Sequence, residues 1–291
     1  MSSKKTAVLW AVLAAALYAL NSPISKLLLG KIPPTIMAAL LYLGAGIGLS
    51  IVRLVQCGMG KGQKEKPLTR KDLPYTIGMV VLDIAAPIFL MIGLTGTTAA
   101  NASLLNNFEI VATSVIALCI FKETISKRLW GAIVLVTISS LVLSVEDISS
   151  FSFSFGSIFV LLACVCWGLE NNCTRMISNK DPLQIVVIKG FGSGIGSFVI
   201  ALVLGEHFSN WGYIVCALLL GFVAYGLSIF FYIYAQRYLG AAKTSAYYAL
   251  APFIGAALSL LIFREIPTIS FVAALLIMIA GTYLASTDTN K

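Results

Sequence analysis

Four ionisable side chains stand inside long apolar runs of this chain: Asp83, Glu109, Glu170 and Lys189. A charge in hydrocarbon costs at least a few kcal/mol, so each needs a partner, a proton or a wet cavity. At helical spacing Asn106, Glu109 and Thr113 share one face, and Ser103, Asn107 and Ser114 form the neighbouring stripe. So broad a polar arc suits a helix facing an aqueous cavity. It equally suits a buried interhelical hydrogen-bond network containing a neutral Glu109. Low dielectric disfavours a charged carboxyl, which makes Glu109 the proton-coupling candidate. It would hold a proton until a cationic substrate or water replaces it. Glu170 and Lys189 lie at compatible depths on adjacent, oppositely directed runs, and read either as a structural ion pair or as substrate contacts. Asp83, near the middle of its run, carries the same two readings.

The second half of the chain has tyrosines where the first has acids and amides. At an offset of 142 residues, Tyr225 matches Asp83, Tyr248 matches Asn106, and Ala251 matches Glu109. Tyr225 and Tyr232, seven apart, share a helix face and read as cavity lining or as packing. Asn21-Ser22-Pro23 and Glu170-Asn171-Asn172 also occupy matched positions. Pro23 removes a backbone donor and should kink its helix, with Pro87 and Pro252 doing likewise in theirs. The candidate substrate-binding set is therefore Asn21, Asp83, Asn106, Glu109, Glu170, Tyr225, Tyr232 and Tyr248.

Other chemistries find little support. The chain shows no HExxH, no GxSxG and no phosphate-cradling glycine loop, so no catalytic residue is named and no enzyme is expected. The six cysteines form no CxxC pair and have one histidine, His207, as company, so no metal site and no cofactor is expected. Without a soluble basic face, the net charge of +8 belongs to topology and anionic lipid, and not to nucleic acid.

These residues must be held by membrane helices. Hydrophobic residues make up 59% of the chain and charged ones 11%, about half the charge of a soluble domain. Ten windows are apolar and long enough to cross a bilayer, near 6–29, 35–55, 73–94, 98–120, 127–145, 156–178, 183–204, 211–235, 241–263 and 268–286. They are numbered spans 1 to 10 below. The first is too long for a signal-peptide core and reads as a span. The runs are continuous and not alternating, so the spans are helices. With the N-terminus inside, 16 of the 20 Lys and Arg fall on cytoplasmic segments, which predicts both termini in the cytoplasm.

The chain also repeats itself. Gly44-Ala45-Gly46-Ile47-Gly48 returns as Gly192-Ser193-Gly194-Ile195-Gly196, and Phe121-Lys122-Glu123 as Phe263-Arg264-Glu265. Two repeats, 1–147 and 148–291, each carry five spans. An odd number inverts the second against the first, the architecture on which alternating access is commonly built. The glycines at Gly44/Gly48 and Gly192/Gly196 have the spacing for close helix approach.

The two halves resemble the drug/metabolite transporter superfamily, specifically the EamA-like ten-helix transporters. The resemblance rests on Ala99 to Leu105 running to Phe121-Lys122-Glu123, and on Leu239 to Thr244 running through Pro252 to Phe263-Arg264-Glu265, each followed by one more span. It implies an all-α integral membrane fold with a central cavity formed by spans 1, 3, 4, 6, 8 and 9. It also implies that the motif glutamates Glu123 and Glu265 act as structural anchors. The expectation is a secondary active transporter of a small polar or amphipathic metabolite, an amino acid or amine being favoured because acids outnumber cations within the spans. The alternatives are a multidrug or cation exporter and, further off, a channel or a non-transporting scaffold. The expected partners are the lipid bilayer and a small-molecule substrate, in a cell (plasma or inner) membrane, for a monomer or homodimer.

Overall fold

The structure is a computed structural model that describes residues 2–58, 66–120, 122, 124–147, 152–177, 180–207, 210–239, 244 and 247–287. Phe121, Glu123, residues 240–243 and the middle of the 56–72 loop lie outside the described residues, as does the chain just after the expected repeat junction at 147/148. Nine described helical segments are long and apolar enough to cross a bilayer: Lys5–Leu28, Pro34–Gly58, Arg70–Gly96, Ala99–Cys119, Lys127–Ser144, Phe155–Met176, Pro182–Val203, Trp211–Tyr232 and Ile269–Ser286. A shorter apolar helix, Ala251–Phe263, forms span 9. The protein is an all-α integral membrane protein. Its one pair of described strands, Val145–Asp147 and Ser152–Phe153, is a short antiparallel hairpin between spans 5 and 6.

The packing scheme of one half recurs in the other. Span 3 runs along span 6, and span 8 along span 1; span 4 packs on span 6, and span 9 on span 1. Spans 2 and 7 pair with each other, as do spans 5 and 10, where the Ser139 hydroxyl donates to the Ala274 carbonyl at 2.6 Å. The glycine runs explain one such exchange. A Cβ on Gly44 would fall on the Leu218 carbonyl and one on Gly48 on the Phe222 ring, both in span 8. Gly192 and Gly196 of span 7 meet Val80 and Ile84, which belong to span 3. Span 2 thus lies against span 8 as span 7 lies against span 3. Lys122 and Arg264, matched residues of the repeated motif, both take left-handed φ, at 54° and 52°. Such a backbone is uncommon for a residue with a side chain, and it ends the fourth span of each half.

Three spans change pitch partway along, with a tightened turn and no loss of right-handed backbone at the described residues. Span 1 breaks at Leu20, between helices Ser2–Ala19 and Asn21–Leu28. Pro23 has no N–H to offer the Ala19 carbonyl, so the expected kink falls just ahead of it. Span 4 breaks at Asn106–Asn107, between Ala99–Leu105 and Phe108–Cys119. There the amides of Asn107, Glu109 and Ile110 bond three residues back, to Leu104, Asn106 and Asn107. Span 9 turns at Ala249–Leu250 before Ala251–Phe263, with Pro252 in its first turn. The breaks in spans 4 and 9 occupy matched places in the two halves. Pro87, by contrast, sits inside the uninterrupted helix Leu73–Gly96.

Spans 2 and 7 are clasped at both ends. The Glu206 carboxylate, beyond span 7, accepts from the amides of Thr35 at 3.3 Å and Ile36 at 2.9 Å, at the start of span 2. At the other end Asp181, the N-cap of span 7, pairs with Arg53 of span 2 at 2.9 Å, and its amide donates to the Lys66 carbonyl at 2.8 Å. Lys180 adds an ion pair to Asp72 at 3.0 Å.

Candidate functional site

A crevice of about 230 Å³ opens near Glu206, but its polar wall is the carboxylate already engaged at the start of span 2. A much smaller one, of about 10 Å³ and so with room for about one water molecule, lies between spans 1, 4 and 9. Its walls are Tyr18, Ala19 and Ser22 beside the break in span 1, Ser103 and Asn106 beside that in span 4, and Ala251, Pro252 and Gly255 beside that in span 9. Ser103 is 3% exposed and Asn106 7%, yet Ser103 Oγ and Asn106 Oδ1 have no hydrogen-bond partner among the described residues. Neighbouring Asn107 leaves its Nδ2 in the same condition. Buried polar atoms are seldom left so, and two on the wall of one crevice call for a polar occupant.

Tyrosines link this crevice to the interior. The Tyr18 ring centroid lies 5.9 Å from that of Tyr225 and 5.8 Å from that of Tyr248, and Tyr232 meets Tyr248 edge-on at 5.0 Å. Tyr248 shares a hydroxyl contact of 3.3 Å with Ser228. The Tyr225 hydroxyl accepts from Asn21 Nδ2 at 3.1 Å, and Asn21 Oδ1 in turn accepts from Ser25. Tyr225 sits in a π-helical segment, Gly221–Leu227, of the kind that often marks a functional place in a helix. The seven-residue spacing of Tyr225 and Tyr232 assumed regular α-helix. The widened turn changes that register, but both rings still join the Tyr18–Tyr248 group.

Beyond Tyr225 lies an ion cluster. Tyr42 of span 2 packs on Tyr225 at 5.1 Å, and its hydroxyl donates to Asp83 Oδ1 at 2.8 Å. Lys189 Nζ stands 3.1 Å from Asp83 Oδ2 and 2.8 Å from Glu170 Oε1, the latter also accepting from the Thr174 hydroxyl. The pairing of Glu170 with Lys189 is as expected. The arrival of Asp83 in the same cluster is not, because sequence spacing does not tell which helices adjoin.

Glu109 takes a third position. It is half-buried, and its Oε1 accepts from Asn171 Nδ2 of span 6 at 2.6 Å. Thr113, one turn on, lies 3.4 Å from the same amide. The polar face expected to run unbroken from Asn106 to Thr113 is divided by the turn at 106–107. Asn106 lines the crevice, whereas Glu109 and Thr113 bond to span 6 and Glu109 is not among the lining residues. Sequence reasoning did not single out Tyr18 or Tyr42. Each is an ordinary residue of an apolar helix, and only the meeting of distant spans gives it a role.

Interrupted helices at matched places of two halves, converging on a polar crevice, are the mark of membrane carriers built from repeats. Comparison with known proteins agrees. Residues 5–145 and 154–287 each match the EamA-like transporter family, and the chain belongs to that family. It is 27% identical over 289 residues, 94% of this chain and 84% of the other, to an uncharacterized transporter of Methanothermobacter thermautotrophicus. It is 22% identical over 278 residues, 90% and 88% of the two chains, to the uncharacterized transporter YyaM of Bacillus subtilis. A crystal structure, described only as that of a protein, superposes with a TM-score of 0.68 at 15% identity, over 96% of this chain and 95% of its own, and shows the fold alone.

Proposed function

We propose that the chain is a secondary active transporter that moves a small polar or amphipathic metabolite, an amino acid or amine, by alternating access. The observation that carries this reading is the convergence of the breaks in spans 1, 4 and 9 on one crevice whose buried hydroxyl and amide atoms lack partners. A regular helix satisfies its own backbone and offers lipid an apolar face. Three helices whose turns tighten beside one crevice turn polar side chains towards it. Aromatic walls from Tyr18, Tyr225, Tyr232 and Tyr248 suit the apolar part of such a solute, and the amides of Asn21 and Asn106 its polar part. Asp83, Glu109 and Glu170 bias the interior towards a positively charged group. The bilayer is the protein's solvent, in a cell membrane with both termini cytoplasmic. Each half repeats the packing of the other, which gives two related arrangements open to opposite sides. Glu109, bonded to Asn171 beside the turn in span 4, is one of three interior acids through which the cycle can couple to protons.

The test is counterflow in proteoliposomes loaded with L-amino acids or primary amines. A carrier gives saturable exchange accelerated by substrate on the far side, and unsaturable flux alone rejects the reading. The second reading, a cation exporter of broad specificity, is favoured by the same acids. Lipophilic cations would then compete with amino acids for exchange.

A further inference from the structure

Lys189 answers two carboxylates. Asp83, Glu170 and Lys189 are 0%, 2% and 9% exposed, so the three charges sit together away from water. With both acids ionised the cluster holds one negative charge in excess, and an uncompensated buried ion costs several kcal/mol. The groups that face Asp83 are Lys189 of span 7, Glu170 and Cys166 of span 6, Tyr42 of span 2 and Tyr225 of span 8. Only Lys189 among them is a cation. Glu109 of span 4 faces Glu170 and Lys189, and adds a further acid.

The two carboxylates are not equivalent. Glu170 Oε1 accepts from both Lys189 and Thr174. Asp83 Oδ1 accepts from Tyr42, but Oδ2, 3.1 Å from Lys189 Nζ, has no aligned hydrogen bond. Protonating Asp83 removes the excess charge and leaves Lys189 paired with Glu170, whose Oε1 keeps both its donors.

We propose that Asp83, Glu170 and Lys189 form a site for one exchangeable proton, carried on Asp83 Oδ2, whose loading and release accompany each transport cycle. Hydronium on one side of the membrane gives up its proton. An O–H bond forms at Oδ2, water is left behind, and the cluster passes from one negative charge to none. Release on the other side reverses this, with water as acceptor. The route to the crevice is short. A neutral Asp83 no longer holds the Tyr42 hydroxyl as a charged acceptor does. Tyr42 packs on Tyr225, and Tyr225 on Tyr18 in the crevice wall. The state of the acid is thereby passed to the substrate's walls through contacts already present.

This inference rests on the carrier reading above, and its test separates the two. Infrared difference spectra of the purified protein in H₂O and D₂O, taken across a pH series, need no substrate. A protonated-carboxyl band is expected in the wild type, kept in Glu109→Gln and lost in Asp83→Asn. Asp83→Glu, which keeps the charge, retains the band at a shifted frequency and serves if Asp83→Asn does not fold. No band in the wild type, or a band that leaves with Glu109 and stays without Asp83, overturns the proposal. In proteoliposomes with a trapped pH dye and L-amino acids as probe, substrate-dependent proton movement is lost in Asp83→Asn. Unchanged proton movement overturns the proposal. A wild type without counterflow overturns the carrier reading instead, and the infrared arm still decides the proton site.

Discussion

The crevice between spans 1, 4 and 9 and the ion cluster between spans 2, 3, 6 and 7 handle polarity in opposite ways. The cluster contains formal charges, and nearly all of them are answered from within: lysine by two acids, one acid by a tyrosine, the other by a threonine. The crevice contains no formal charge, and its Ser103 and Asn106 atoms are left waiting. An ion in hydrocarbon is too costly to leave unpaired, so evolution of a stable bundle closes such groups on one another. A neutral amide or hydroxyl costs less to leave open and can be kept for a visitor. The strongest charges therefore need not mark the place where the solute sits.

Mutations should separate the two regions by what they disturb. Lys189→Met leaves two acids facing each other and should lower stability by about 3–5 kcal/mol. Adding Asp83→Asn and Glu170→Gln should restore most of it, as measured by unfolding in mixed micelles; a stable single mutant would break the contrast. Gly221→Ala places a methyl group on the Leu41 carbonyl, where span 8 crosses span 2 between the two regions. It should cost about 1–3 kcal/mol as overpacking does. Tyr225→Phe removes only the hydroxyl that accepts from Asn21 and should cost about 1 kcal/mol. Asn106→Ala takes away an Oδ1 with no partner among the described residues, so it should cost less than the ~1 kcal/mol of Tyr225→Phe. Substrate exchange should nevertheless fall, and a variant that is destabilised but exchanges normally would show Asn106 to be a packing residue.

Much of this molecule could be read from its residues because the bilayer simplifies the code. Continuous apolar runs gave the spans, and Gly44–Gly48 and Gly192–Gly196 gave places of close helix approach. Glu170 and Lys189 were placed together by depth alone. What depends on lateral neighbours was not legible: Asp83 joining that pair, Tyr42 bridging to Tyr225, Tyr18 forming a wall. Nor did propensity announce the turn at Asn106–Asn107, which has no proline. Span 9 carries Pro252 just after its own turn, and only comparison of the two halves makes the pair of breaks visible. The π-helical segment at Gly221–Leu227 has no signal beyond Gly221 and Gly226, which span 2 crowds.

The clasps on spans 2 and 7 are made of different material. One is a carboxylate gripping two backbone amides, and the other leans on two partly exposed ion pairs, Arg53–Asp181 and Lys180–Asp72. Ions in solution weaken exposed pairs first. Raising the electrolyte concentration should therefore slacken the Asp181 mouth before the Glu206 mouth. Salt then becomes a handle on which end of the pair formed by spans 2 and 7 loosens first.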